Sequence, residues 1–223
     1  MSCALCKERK EKRFCPAVHG KICAQCCGEQ REVTLDCPSD CPYLQQSREH
    51  EKPRPAADFD RSALFPEVEI PEQFLYEREH LIMGLSFALA KGTRAGRALD
   101  GQSLIDRDLI AALTALAKSY QTLVQSNLIY EPPTASLTHQ QIAREVETMV
   151  KEFREEEQKH MGYSRLKDVE VLQALVFLLR MGVTRSSGRP RSRAFVDFLS
   201  AQFPERPSGI AAPEDSGSRI VIP

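Results

Sequence analysis

All eight cysteines of this 223-residue chain lie between Cys3 and Cys41, and the 182 residues that follow contain none. Residues 1–50 are otherwise charged and show no sustained apolar periodicity. A segment of that length cannot bury enough hydrocarbon to fold without a staple. Its spacing identifies the staple: Cys3-x2-Cys6, an isolated Cys15, Cys23-x2-Cys26 with Cys27 adjacent, and Cys37-x3-Cys41. Two thiolates this close in sequence reach one tetrahedral ion through a tight turn. Eight thiolates divide into two complete sites, and Zn2+ is the expected ion at both, because it takes four sulfur or nitrogen ligands without redox chemistry. An iron-sulfur cluster is the rival reading, and colour separates the two.

Compartment supports metal over disulfides. The first ten residues, Met1 to Lys10, have no apolar leader, and the longest apolar run, Ala174 to Leu179, ends at Arg180. That run falls far short of the roughly 20 residues that span a bilayer. The expectation is a cytoplasmic, thiol-reducing setting with no membrane span.

Two ligand arrangements fit the spacing. In the interleaved one, Cys3, Cys6, Cys23 and Cys26 share one ion while Cys15, Cys27, Cys37 and Cys41 share the other. In the alternative, His19 joins Cys15 as a ligand, and one of the adjacent Cys26 and Cys27 is left over.

Metal changes the charge. The formal net charge is −1, from 30 basic and 31 acidic side chains. Eight thiolates against two divalent cations leave four negative charges, which takes the chain to −5 and favours a protein partner over nucleic acid. Two basic stretches keep a nucleic-acid-binding regulator as the alternative. Lys7, Arg9, Lys10, Lys12 and Arg13 are diluted by Glu8 and Glu11 and read as a solvated loop. Arg185, Arg189, Arg191 and Arg193 lack interleaved aromatics and read as an exposed interhelical loop.

The runs Arg13-Phe14-Cys15-Pro16-Ala17, Ile22-Cys23-x2-Cys26-Cys27-Gly28, Cys37-Pro38-Ser39-Asp40-Cys41-Pro42-Tyr43-Leu44 and Arg48-Glu49-His50 resemble the amino-terminal segment of a group of uncharacterised bacterial cysteine-rich zinc-binding proteins. That resemblance covers about 40 residues and implies no activity. More remotely, the spacing is similar to the interleaved two-zinc fingers of the HIT and MYND type, which implies two interleaved zincs and a protein partner. The chain departs from those fingers in its isolated Cys15 and its final Cys-x3-Cys.

Beyond the cysteines the pattern is helical. Residues 51–66, with Pro53, Pro55 and Pro66, read as a linker anchored by Phe59, Leu64 and Phe65. A first helix is expected from Pro71 or Glu72 to about Lys91, stopped by Gly92, with a loop through Gly96 and Gly101. A second from Asp106 carries Leu109, Leu113, Leu116, Tyr120 and Leu123 on one stripe and ends before Pro132 and Pro133. Thr138 and Gln141 have capping-box spacing for a third, whose buried face is Ile142, Val146, Met149, Val150 and Phe153. A fourth, about Lys167 to Met181, is apolar almost all round and is expected at the centre of the domain. A fifth begins near Pro190 with Phe195, Phe198, Leu199 and Phe203 on one side, and stops at Pro204. The sequence therefore predicts a mainly α protein: a two-zinc finger over 1–50, a linker over 51–66, an all-helical domain of about five helices over 67–203, and a flexible tail over 204–223.

Catalytic motifs are sparse. Glu77 with His80 and Glu157 with His160 have the Glu-x2-His spacing of di-iron carboxylate bundles, but the other helices offer only Asp106, Asp108, Asp168 and Glu170, all at helix starts. Phosphate loops, a nucleophile elbow and a dinucleotide fingerprint are absent from the sequence. The expectation is a non-catalytic zinc-binding interaction or adaptor module, with a metal-dependent enzyme in the helical domain as the second alternative.

Overall fold

A computed structural model describes residues 2–51, 61–100, 104–129 and 136–204. Among these the protein is mainly α, with one two-stranded sheet in the cysteine-rich segment. That segment contains β1 (Arg13–Cys15), β2 (Gly20–Ile22), α1 (Ala24–Gln30) and α2 (Pro42–His50). The strands pair antiparallel, with Phe14 opposite Lys21. The helical part contains α3 (Glu72–Glu77), α4 (Glu79–Asp100), α5 (Asp106–Ser126), α6 (Leu137–Met161), α7 (Asp168–Arg185) and α8 (Ala194–Gln202).

The expected first helix is two helices that meet at Arg78, where the backbone leaves helical geometry. The break serves Arg78, whose guanidinium reaches Glu170 at 2.8 Å and Glu157 at 3.6 Å, tying the start of α7 to the end of α6. Gly92 does not stop the helix. It sits where α4 crosses α6, and a Cβ there would lie 3.0 Å from the Ile142 Cα. The glycine is therefore a close-approach residue within a helix that runs on through Gly96, while Gly101 lies outside the described residues.

α7 is the central helix, as its all-round apolar sequence predicts. Val171, Leu172, Ala174, Leu175, Val176, Leu178 and Leu179 are all buried. The expected stripes of α5 and α6 bury Leu109, Leu113, Leu116, Ile142, Val146 and Val150 in the same core. The capping box expected at Thr138 and Gln141 is not formed: α6 starts earlier, Thr138 is buried in its first turn, and Gln141 bonds Glu145 at 2.9 Å. A reciprocal carboxylate cap appears instead at α7, where Glu170 accepts the Lys167 N–H at 2.8 Å.

Of the expected linker, Pro53, Pro55 and Phe59 lie outside the described residues, as do Pro132, Pro133 and the tail beyond Pro204. Phe65 is buried, and Arg180 donates to the Leu64, Phe65 and Val68 carbonyls at 3.0, 2.6 and 3.0 Å. The residue that ends the apolar run of α7 thus clamps the incoming chain to it.

The cysteine-rich segment docks on the turn between α7 and α8. Arg189, expected in an exposed loop, donates to the Gly28 and Arg31 carbonyls at 3.0 and 2.7 Å, capping the end of α1. The Arg191 N–H reaches the Glu32 carbonyl at 2.8 Å. Glu32 is 1% exposed, and its carboxylate accepts from Arg48 at 2.9 Å and from Ser187 at 3.0 Å. Arg48 also pairs with Asp197 at 2.8 Å. Asp106, fully covered, receives Ser192 at 2.6 Å and the Phe195 and Val196 N–H groups at 3.0 and 3.1 Å, so a carboxylate at the start of α5 caps α8. α8 begins at Ala194 rather than near Pro190 because residues 186–193 form this docking turn.

Candidate metal centre

Cys3, Cys6, Cys23 and Cys26 bring their sulfurs within 4.8 Å of one another. A tetrahedral ion with bonds of about 2.3 Å holds its sulfurs about 3.8 Å apart, inside that limit. Local backbone structure builds each pair. Around Cys3 and Cys6 the chain closes a turn with the Lys7 N–H on the Cys3 carbonyl at 2.8 Å, Lys7 taking the left-handed conformation at φ 59°. Cys23 is the N-cap of α1, and its sulfur accepts the Cys26 N–H at 3.4 Å. The Cys23 N–H in turn reaches the Cys3 sulfur at 3.1 Å, joining the two pairs.

These donors favour thiolate. Burial raises the Cys3 thiol, yet the N–H groups of Cys6, Cys23 and Leu5 outweigh it and bring it down to about 6. The Cys26 N–H also lowers Cys23. Cys26 is pushed up to about 12, first by its hydrogen bond with the Cys23 sulfur and then by burial. Four crowded sulfurs cannot all ionise side by side without a cation between them, and supplying that cation is what a metal ion does. Arg9 adds positive charge from outside, its guanidinium 3.9 Å from both the Cys23 and Cys26 sulfurs. The spacing of the cysteines predicts this set of four. Arg9 is exposed, as a solvated loop residue is expected to be, yet its guanidinium also faces two sulfurs, and a cation close in sequence to a set of thiolates is the signal for that role.

The other four cysteines do not converge to that spacing, and among the described residues one set of metal-ligating side chains does. Cys15 ends β1, Cys27 lies on α1, and Cys41 caps α2. Arg13 and Arg31 approach the Cys27 sulfur at 3.7 and 3.9 Å, so Arg13, half-buried on β1, is not the solvated loop residue expected. Burial raises the Cys37 thiol, and the nearby Cys15 and Cys41 sulfurs add to it. His19 is exposed at the hairpin turn with φ 48°, its N–H on the Pro16 carbonyl, and is not one of the converging four.

The segment's own core is poor in hydrocarbon. Of its seven buried members, five are cysteines and only Ile22 and Leu35 are hydrocarbons.

The carboxylates weighed for an iron site are held by other partners. Glu77 and His80 fall on separate helices, and Glu77 accepts from Gln73 at 2.6 Å. Glu157 accepts from Ser164 and from the Arg165 and Leu166 N–H groups at 2.9, 2.8 and 2.9 Å, capping the approach to α7, while His160 is exposed. Asp168 pairs with Arg154 at 2.6 Å. No described helix is long and apolar enough to cross a membrane. The chain matches no family model, no curated protein and no solved structure.

Proposed function

We propose that the chain is a zinc-binding interaction module with no catalytic activity of its own, in which the metal builds the cysteine-rich segment and the helical bundle holds it rigid. The observation that carries this reading is the four-sulfur set of Cys3, Cys6, Cys23 and Cys26 with its N–H donors and Arg9. An all-sulfur set of this kind suits zinc and leaves no open coordination position, which is the arrangement of structural rather than catalytic sites. Each such site contributes about 10 kcal/mol to folding.

A second zinc on Cys15, Cys27, Cys37 and Cys41 completes the proposal. Its support is that Cys37 packs against the cluster that holds Cys15 and Cys27, and that two arginines approach the Cys27 sulfur. The role of the module is to present a fixed surface to a protein partner in the cytoplasm. Native mass spectrometry of the purified chain tests the metal: two zincs are expected, and Cys6→Ser and Cys37→Ser should each remove one. Iron, or a colourless protein without zinc, refutes the reading. A parent chain that holds a single zinc, still held by Cys37→Ser, refutes the second site.

A further inference from the structure

The hairpin carries a second face that the metal does not use. Strand alternation turns Arg13 and Cys15 toward the sulfurs and Phe14 outward, where it is 57% exposed. Lys21 is the direct cross-strand partner of Phe14 and shares its face. Lys12, also exposed, lies just before β1, where its N–H reaches the Ile22 carbonyl at 2.9 Å and the regular pairing has ended. On the far side of Lys21 the Ala4 N–H meets the Lys21 carbonyl at 3.0 Å, which sets Leu5, 38% exposed, beside the hairpin.

Charge divides along the segment. Residues 2–23 contain Lys7, Arg9, Lys10, Lys12, Arg13 and Lys21 against Glu8 and Glu11, while Glu29, Glu32, Asp36, Asp40 and Glu49 all come later. Arg9 and Arg13 turn to sulfurs, and the four lysines remain exposed. The ion pair of Lys21 with Glu11, at 3.9 Å, is loose enough to be exchanged. The end of the segment that carries the exposed aromatic ring is therefore the lysine-rich end, whatever the net charge of the whole.

We propose that the exposed Phe14 with Lys21 on its face, and the exposed Lys12 and Leu5 in the adjoining chain, bind an acidic peptide segment bearing an apolar side chain. The ring and the leucine bury the apolar side chain, and the lysines meet carboxylates at the rim. A single nucleic-acid strand fits less well. Leu5 offers no stacking surface, one aromatic ring stacks one base, and Glu8 and Glu11 repel a backbone that is charged at every nucleotide. A peptide can space its acidic residues around those glutamates.

This inference rests on the zinc-stapled module above, so the test reads both. The zinc-loaded full chain is immobilised and panned against a displayed library of random peptides, and the selected peptide is titrated by fluorescence anisotropy. Sequences enriched in Asp and Glu around Leu, Phe or Trp are expected. Phe14→Ser, and separately Lys12→Glu with Lys21→Glu, should weaken binding by about tenfold or more, while Tyr76→Ser on α3 leaves it unchanged. Zinc content is measured for every variant. A chain that holds no zinc refutes the module and this face with it. A zinc-loaded chain overturns the face alone if it selects no acidic peptides, binds its selected peptide equally well in both face variants, or prefers a labelled oligouridine in a Phe14-dependent way.

Discussion

Glu32 is the residue on which the union of the cysteine-rich segment with the bundle can be measured. It adopts the left-handed conformation at φ 51°, which costs a side-chain-bearing residue about 1 kcal/mol relative to glycine. That cost is tolerated because its buried carboxylate receives Arg48 at 2.9 Å and Ser187 at 3.0 Å, and its carbonyl receives the Arg191 N–H. Glu32→Ala keeps the strain and removes the carboxylate. Arg48, half-buried, is left with Asp197 alone, and the loss of a buried charged partner should cost about 3 kcal/mol. Glu32→Gly removes the same carboxylate and relieves the strain, so it should cost about 2 kcal/mol. The ordering distinguishes this account from generic disruption, which would make glycine the worse substitution. Urea unfolding followed by circular dichroism measures both, with free zinc held constant because bound metal shifts apparent stability. An alanine variant within about 0.5 kcal/mol of the parent, or a glycine variant less stable than the alanine one, refutes the reasoning.

Three further outcomes follow from single residues. Arg9→Ala should leave zinc stoichiometry intact but weaken affinity by about tenfold to a hundredfold in competition with a chromophoric chelator, because the guanidinium offsets charge on two sulfurs. Asp106→Asn should cost little in thermal stability, since one amide oxygen can still accept from the α8 N–H groups, whereas Asp106→Ala strands both buried donors and should cost about 3 kcal/mol. Gly92→Ala should destabilise by about 1 kcal/mol net in urea titration, the crowding against Ile142 exceeding the gain in helix propensity.

What the sequence reveals depends on how local the cause is. The set of Cys3, Cys6, Cys23 and Cys26 was legible because the turn that makes each pair is written in its spacing. The helical class and the central place of α7 were legible because periodicity is local too. The break at Arg78 was not, since it is fixed by Glu157 and Glu170, roughly 80 to 90 residues away in sequence. Gly92 misled for the same reason: a glycine near a helix end reads as a stop, and only the approach of Ile142 shows it to be a packing site. Charge runs misled most. Arg13 and Arg189 look like solvated loop residues until the sulfur and helix-end carbonyls opposite them are in place.

The two ends of α1 show why metal and bundle should act together. α1 has seven residues, too few to persist alone in water. Its first turn is set by Cys23 and Cys26 of the four-sulfur set, and its last carbonyls are capped by Arg189 from the turn between α7 and α8. Removing the metal frees the first end, and Arg189 and the Arg191 N–H then lose the folded backbone they bond to at the other. Chelation should therefore loosen a part of the bundle that holds no ligand. In hydrogen exchange by mass spectrometry, peptides covering 186–193 should lose protection together with 20–35 when zinc is stripped. Peptides within 171–179, buried in the core of α7, should keep theirs. If 186–193 stays as protected as before while 20–35 opens, the docking contacts do not couple the two parts, and the cysteine-rich segment is an appendage rather than a member of the fold.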